Sequence, residues 1–240
     1  MKLLIIRHGD PDYAVDSLTE KGWREASYLK ERLLCENISA FYSSPHGRAR
    51  DTAKPTLDAL DRKNEVLPWL REFDAYVVDP ESGEKRIAWD RLPREVNENP
   101  DYFDREHWLE TSLYRSGDVR EKYDAVCDGL DTLLKKHGYA RDGFYYHAER
   151  ANTDTIALFC HFGVECVLLS HLLNIAPPAL WQGFTALTSS VTTVYTEERE
   201  EGTASFRCCS FGDLSHLYAH GEPPSFQARF CEVYSDNTRH

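Results

Sequence analysis

The chain has 240 residues, of which 41% are apolar and 28% are charged, and this length suits one large domain or a core with an inserted lobe. Forty acidic residues against 28 basic ones give a net charge of −12 at pH 7, which argues against non-specific binding to nucleic acid or to an anionic membrane surface. Apolar runs stay well below the length of about 18 residues that predicts a transmembrane helix.

The first third of the chain predicts alternating strands and helices. Residues 2–6 form an apolar run typical of a strand buried on both faces. The run stops at Arg7, which makes it too short for a signal peptide. Thr19 is the predicted N-cap of the first helix. Apolar residues three and four apart mark the buried face of that helix: Trp23, Ala26, Leu29 and Leu33.

A second strand and a second helix follow. Ile38–Ser43 is predicted as a short strand. The helix after it contains Pro55, which we expect to bend the helix or to shorten its first turns. Its apolar side is predicted to consist of Ala49, Ala53, Leu57 and Leu60.

Residues 73–116 break this regular pattern. The segment is rich in charged residues and proline, and it carries five large aromatic residues: Trp89, Tyr102, Phe103, Trp108 and Tyr114. Long irregular stretches on a regular scaffold are often functional, so one interpretation is an inserted, lid-like segment. The alternative, given equal weight, is a solvated excursion that its aromatic residues anchor to the scaffold.

Regular elements are predicted again from residue 119. They comprise helices at 119–137 and 164–173 and strands at Thr155–Cys160, 191–195 and 205–210. Residues 213–240 are predicted as an irregular tail. The alternation of strands and helices predicts a single domain over residues 1–240, an α/β fold that forms a three-layer α/β/α sandwich with a mostly parallel central sheet.

Two predicted strands end in a histidine followed by a glycine. Arg7 and His8 end the first strand before Gly9, and His161 ends a later strand two residues before Gly163. Ligands of open α/β sheets bind outside the carboxyl ends of the strands. Either histidine taken alone is more often a structural residue, but the matched positions favour a common site.

A third group of residues is suited to binding an anion. The segment from Tyr42 to Ala53 ends a strand, turns at Ser44-Pro45 and brings Arg48 to the start of a helix. The free amides of a helix N-terminus attract negative charge, and a guanidinium adds paired donors for phosphate oxygens.

These motifs occur together in one known family. The chain resembles the histidine phosphatase superfamily, in the branch similar to cofactor-dependent phosphoglycerate mutase. The resemblance rests on an ordered set: Arg7-His8-Gly9, Ser43-Ser44-Pro45 followed by Arg48, Ala49, Thr52 and Ala53, then Glu72, and His161 with Gly163. The resemblance covers about residues 1–72 and 119–212. It implies a phosphatase that needs no cofactor or metal and forms a phosphohistidine intermediate.

The resemblance also implies roles for individual residues. His8 would be the nucleophile, and Arg7, Arg48 and His161 would bind the phosphoryl oxygens. Glu72 would protonate the leaving oxygen and then assist the attack of water. Asp74, Glu81 and Glu84 remain alternative carboxylates for that role. Tyr13 is a candidate substrate-binding residue because its ring can stack on or cover a substrate.

The chain departs from the mutases in the groups that hold phosphoglycerate. Asp10-Pro11-Asp12-Tyr13-Ala14 follows the Arg-His-Gly tripeptide where the mutases have Glu-Ser and then Asn, and Phe162-Gly163-Val164 replaces a Gly-Asn-Ser stretch. We therefore expect hydrolysis of a small phosphorylated metabolite. Mutase-type phosphoryl transfer and a non-catalytic module that binds a phospholigand remain alternatives.

A metal-dependent phosphohydrolase is a different enzyme class to weigh. It would use His8, Asp10 and Asp12 as ligands, but the neighbouring arginines would repel a cation.

The seven cysteines, an odd number without CxxC spacing, favour reduced thiols and a cytoplasmic location. The expected partner is a small phosphate ester, and a homodimer is compatible with the sequence.

Overall fold

The computed structural model describes residues 1–80, 82–228 and 231–235. The strands are β1 (Lys2–Arg7), β2 (Pro11–Asp12), β3 (Ser17–Leu18), β4 (Ile38–Ser43), β5 (Glu65–Val66), β6 (Tyr76–Val78), β7 (Lys85–Ile87), β8 (Tyr139–Asp142), β9 (Tyr145–Ala148), β10 (Thr155–Cys160), β11 (Val191–Glu200) and β12 (Thr203–Asp213). The α-helices are α1 (Glu20–Leu34), α2 (Gly47–Leu60), α3 (Pro93–Asn97), α4 (Val119–Lys136), α5 (Phe162–Leu173), α6 (Pro177–Gly183) and α7 (Ser215–Ala219). Short 3₁₀ helices cover Pro68–Leu70, Pro100–Phe103, Trp108–Glu110 and Phe226–Ala228.

One eight-stranded sheet organises the described residues, in the order β5-β4-β10-β1-β11-β12-β9-β8. The pairs from β5 to β1 are parallel, and the pairs from β1 to β8 are antiparallel. Because two reversals restore direction, β12 and β8 run the same way as β1, and only β11 and β9 run against it among these eight strands. The predicted mostly parallel central sheet is confirmed, whereas its antiparallel edge of β9 and β8 was not foreseen.

Apolar side chains on both faces of the sheet form the three layers. Leu4 and Ile6 of β1 join a core with the inner faces of α1 and α2. Leu3 and Ile5 point to the opposite face, into the larger core that contains α4, α5 and α6. Successive side chains of a strand alternate between faces, so a continuous apolar run such as β1 requires cover on both sides. The predicted α/β/α sandwich is confirmed.

The helices show where sequence periodicity misleads. Thr19 caps α1 as predicted, with its hydroxyl accepting a hydrogen bond from the Gly22 amide. Ala26, Leu29 and Leu33 are buried as predicted, but Trp23 is 38% exposed and Glu25 is buried in addition. Helix α2 runs without interruption from Gly47, so Pro55 does not shorten its first turns. Leu60 is likewise exposed at its end.

The segment 73–116 contributes to the larger core. Tyr102, Trp108 and Tyr114 are all buried there, with Trp108 at the centre of edge-to-face contacts with Tyr114, Tyr123 and Trp181. These rings therefore anchor the segment and are not available to cover a substrate. The 73–116 boundaries of the insertion stay a prediction.

The C-terminal residues are more regular than predicted. Strand β12 extends to Asp213, and α7 follows it at once. The predicted irregular tail at 213–240 is therefore wrong for residues 213 and 215–219, and residues 229–230 and 236–240 lie outside the described part of the chain. None of the described helices has both the length and the apolar content needed to cross a bilayer.

The buried ring of Trp108 predicts a large loss of stability on truncation. Trp108→Ala removes a ring that is 2% exposed, so we expect it to lower the free energy of unfolding by about 3–5 kcal/mol. Trp23→Ala serves as the matched control and should cost about 1 kcal/mol or less. Urea denaturation of both variants checks this, and equal losses would contradict the assignment of the two tryptophans to core and surface.

Candidate active site

The site is built on three neighbouring parallel strands. β1 pairs with β10 so that Arg7 lies opposite Cys160, and the next residues of the two strands are His8 and His161. The backbone continues the pairing, because the His8 amide donates to the Cys160 carbonyl at 3.0 Å and the Ser44 amide donates to the Phe159 carbonyl at 2.8 Å. The two imidazole rings lie 5.1 Å apart between centroids.

His8 is held as a neutral imidazole with one free nitrogen. Its Nδ1 lies 2.8 Å from the Gly9 carbonyl oxygen, and a carbonyl only accepts, so Nδ1 carries the proton and Nε2 keeps a lone pair. The side chain is 2% exposed. Burial, followed by the charges of Arg7 and Arg48, holds the pKa of His8 well below its ordinary value. The ring is therefore a base or nucleophile rather than a cation.

His161 is oriented by Ser44. The Ser44 hydroxyl oxygen lies 2.7 Å from Nε2 of His161 and accepts a hydrogen bond from the His46 amide at 3.2 Å. The hydroxyl proton is then free to be donated to Nε2, which assigns the imidazole proton to Nδ1. That Nδ1 is buried and has no hydrogen-bond partner among the described residues. Burial and the neighbouring His8 hold the pKa of His161 well below its ordinary value.

Two arginines are fixed in the same manner. One terminal nitrogen of Arg7 donates to the Ala186 carbonyl, and one terminal nitrogen of Arg48 donates to Asp16 Oδ1 at 2.7 Å. The Nε atom of each guanidinium is buried and lacks a partner in the described part of the chain. Each side chain is therefore held by one end while a donor remains unused.

Asp16 also binds the first turn of α2. Its Oδ2 accepts a hydrogen bond from the Gly47 amide at 2.7 Å, and Nδ1 of His46 lies 3.7 Å from the same oxygen. The backbone approach is close, because a Cβ on Gly47 would lie 2.0 Å from the Asp16 carbonyl oxygen. The hydrogen bond from Gly47 and the pairing with Arg48 lower the pKa of Asp16 against the opposing effect of burial.

Glu72 lies against the start of α5. Its Oε1 accepts hydrogen bonds from the amides of Phe73 at 2.7 Å and Val164 at 3.1 Å. Burial raises the pKa of Glu72, with the two hydrogen bonds and Arg7 acting against the rise. A carboxyl group with a raised pKa keeps its proton to higher pH than an exposed one, which suits general acid catalysis.

The alternative carboxylates are placed less favourably. Asp74 pairs with Lys122 at 2.8 Å and with Arg71 at 3.4 Å, and these cations lower its pKa despite partial burial. Glu84 is exposed beside β7. Glu81 lies outside the described residues.

Two aromatic residues lie near the phosphate cradle, which is the group formed by Arg7, Arg48, His8 and His161. Tyr13 is 62% exposed, and its ring centre is 5.4 Å from the Arg48 guanidinium. The half-buried Trp89 donates from its indole nitrogen to the Phe73 carbonyl at 2.8 Å. A Cβ placed on Gly163 would lie 2.6 Å both from this nitrogen and from Glu72 Oε1. Trp89 thus lies beside Gly163 together with Glu72, and segment 73–116 supplies it.

A second polar network lies directly behind His8. The Asp10 carboxylate accepts hydrogen bonds from the hydroxyls of Thr19, at 2.6 Å, and Ser225. The Asp10 amide donates to the buried Glu25 at 2.9 Å. Asp12 accepts from the Ala14 amide. His8, Asp10 and Asp12 therefore do not converge, and no group of three or more His, Cys, Asp or Glu side chains in the described residues has a metal-binding arrangement.

Several contributors escaped the sequence reasoning. Ser44 and His46 belong to the motif that identified Arg48, so their position in it was the available signal. Thr52, one turn into α2, accepts from the Gly9 amide at 2.9 Å and donates to the Arg48 carbonyl. Asp16 carried no signal, and Trp89 stood out only as one of the aromatic residues of segment 73–116, because each reaches the site through a loop whose path depends on tertiary packing.

Comparison with known proteins gives a consistent match. A family model described as the histidine phosphatase superfamily (branch 1) matches residues 3–206. An adenosylcobalamin/alpha-ribazole phosphatase of Salmonella typhi is 25% identical over 198 residues, which cover 75% of this chain and 84% of the relative. A 2,3-bisphosphoglycerate-dependent phosphoglycerate mutase of Thermoplasma acidophilum is 38% identical over 69 residues, 25% of this chain and 34% of the relative.

Solved structures share the fold. A mycobacterial glucosyl-3-phosphoglycerate phosphatase superimposes with a TM-score of 0.59 at 19% identity, covering 88% of this chain and 98% of the other. Phosphoserine phosphatase from Entamoeba histolytica, solved in complex with phosphoserine, gives a TM-score of 0.55 at 19% identity, covering 90% and 98%.

The crowding at Gly163 predicts a measurable cost of adding one methyl group. Gly163→Ala forces both the Glu72 carboxyl and the Trp89 indole away from their hydrogen bonds, so we expect the free energy of unfolding to fall by about 1–3 kcal/mol. Gly183→Ala is the matched control, because it is also helical and nothing lies within 4 Å of its added Cβ. Thermal and urea unfolding that leave the two variants equally stable would contradict this packing.

Proposed function

Because the chain belongs to the histidine phosphatase superfamily, we propose that it hydrolyses a small phosphate monoester through a phosphohistidine at His8. The observation that carries the proposal is a group of buried donors that lack partners among the described residues, beside a neutral imidazole. These donors are Arg7 Nε, Arg48 Nε and His161 Nδ1. Buried polar groups are rarely left unpaired, and a bound phosphoryl group would satisfy all three.

In the first step the lone pair on His8 Nε2 attacks phosphorus in line with the leaving oxygen. The Nε2–P bond forms, the P–O bond to the substrate alcohol breaks, and Glu72 gives its proton to the departing oxygen. In the second step the Glu72 carboxylate takes a proton from water as that water attacks phosphorus. The N–P bond breaks, which releases inorganic phosphate and restores both side chains.

The arginines and His161 stabilise the charge of the transferred group. Phosphoryl transfer depends mainly on position and electrostatics, because negative charge spreads over the equatorial oxygens in the transition state. Donors fixed in a site that excludes water are worth more than the same donors in solution. The bonds of Arg7 to Ala186 and of Arg48 to Asp16 supply this fixation before substrate arrives.

The wider setting stays at the level of proposal. All seven cysteines fall within the described residues and are unpaired, which supports a reducing compartment such as the cytoplasm. The expected partner is a small phosphate ester rather than nucleic acid. A homodimer remains compatible with the fold.

The central experiment traps the intermediate at His8. Rapid acid-free quenching after mixing with ³²P-labelled substrate should give a base-stable, acid-labile phosphoprotein whose label maps to His8. His8→Ala should lose both the label and turnover while it stays folded. His107→Ala is the control, because His107 is exposed on segment 73–116. Labelling or undiminished hydrolysis in His8→Ala would refute the nucleophile.

The opposite pKa shifts of His8 and Glu72 predict a bell-shaped pH profile for kcat/KM. Activity falls as pH drops through the lowered pKa of His8, because the protonated ring cannot attack. It falls again as pH rises through the raised pKa of Glu72, because the acid loses its proton. Glu72→Gln should lose about 100-fold or more on an alkyl phosphate and much less on 4-nitrophenyl phosphate, whose leaving group needs no proton. An equal loss on both substrates would exclude Glu72 as the general acid.

Segment 73–116 is proposed to act on specificity through Trp89. Its other buried rings belong to the core, so deletion of residues 85–112 would remove Trp108 and Val96 along with any substrate contact. A point substitution is the cleaner test. Trp89→Ala should change the ratios of kcat/KM among sugar phosphates, nucleotides, phosphoglycerates and phosphopeptides by about tenfold, whereas Trp23→Ala should not. A uniform change over the panel would mean that Trp89 only supports the Glu72 loop.

A further inference from the structure

The phosphate cradle of the free protein already contains an anion of its own. Asp16 contacts Arg48 through one carboxylate oxygen and the first amide of α2 through the other, both at 2.7 Å. A cationic guanidinium and the N-terminal amide of a 14-residue helix are the groups that a phosphate would otherwise engage. Asp16 therefore occupies part of the anion-binding capacity of the site.

The local chain is shaped to keep Asp16 there. Its backbone has φ of +49°, a left-handed conformation that Asp and Asn tolerate better than other residues with a side chain. The Asp16 carbonyl lies so close to Gly47 that no residue with a Cβ would fit at position 47. The Arg48 guanidinium lies over the ring of Tyr13, on the same loop, at 5.4 Å from the ring centre. The loop therefore contacts Arg48 through both Asp16 and Tyr13.

The groups around the Asp16 carboxylate show how its negative charge affects phosphate binding. Arg48 faces it directly, and His46 Nδ1 is 3.7 Å away with a pKa lowered by burial and by Arg48. The carboxylate therefore neutralises a guanidinium that is only 12% exposed. A phosphate that reaches Arg48 gains attraction from one charge and meets repulsion from the other.

Resting on the proposed phosphatase function, we propose that Asp16 is a positioning residue that limits how tightly the site holds inorganic phosphate. It holds one terminal nitrogen of Arg48 in place and offsets the guanidinium charge, so that the product leaves after the second step. If Asp16 only supported Arg48, its loss would weaken phosphate binding. If it offsets the charge of Arg48, its loss strengthens phosphate binding, so the two roles predict opposite changes in Kd.

Asp16→Asn is the informative substitution. Asparagine tolerates the same left-handed backbone and keeps one oxygen that can accept from Arg48. It therefore removes the charge, and the hydrogen bond from the Gly47 amide, with little change of shape. Asp58→Asn is the matched control: it removes one negative charge from α2, the helix that Asp16 contacts, at an exposed site paired with Lys54. Circular dichroism and thermal unfolding establish that both variants are folded.

The measurement is the Kd of inorganic phosphate by isothermal titration at low ionic strength, together with kcat and KM for 4-nitrophenyl phosphate. For Asp16→Asn we expect Kd to fall about tenfold, with KM falling in parallel and kcat not rising; for Asp58→Asn, Kd should stay within about twofold. An unchanged or increased Kd in Asp16→Asn would overturn the inference. Wild-type turnover and the label at His8 test the phosphatase function separately, so the two proposals can fail independently.

Discussion

The register between β1 and β10 is the constraint on which the site depends. Both strands are buried on both faces and run parallel, with Arg7 opposite Cys160, so the residues that follow emerge side by side at one edge of the sheet. A shift of one residue would turn the apolar side chains of β1 to the wrong faces, and two cores oppose it. The stability of the hydrophobic layers therefore fixes the distance between His8 and His161.

The same burial is electrostatically unfavourable for the charged groups of the site. Arg7 is 9% exposed, and a buried cation without full pairing is unfavourable. The imidazoles respond by staying neutral. Glu165 lies nearby in α5 with one oxygen bonded to Thr192 and the other without a partner in the described part of the chain, and burial raises its pKa to about 7. Asp16 pairs with Arg48, whereas Arg7 has no ion-pair partner of its own among the described residues, and this shortage of negative charge favours a dianionic ligand there.

Much of this arrangement was predictable because it depends on local chain properties. Strands β1, β4 and β10 and the helices after them follow from apolar runs and cap residues, and strands that end in functional residues meet at one sheet edge. Trp23 was misplaced because periodicity alone does not say which of two adjacent helix stripes meets the sheet. Asp16 and Trp89 were missed for a further reason: loops bring them to the cradle, and a loop path is decided by packing against distant residues such as Gly47 and Gly163.

The C-terminal segment is bonded to the loop that follows His8. Ser225 bonds to Asp10, two residues after His8, and His216 of α7 pairs with Ser189, whose amide donates to the His8 carbonyl at 3.0 Å. Glu222 adds ion pairs to Lys21 and Arg24 at the start of α1. Proteins unfold locally in cooperative units of contiguous contacts. Since residues 215–225 are bonded to the loop that follows His8, we expect loss of this segment to loosen the nucleophile while the arginines and His161 stay in place.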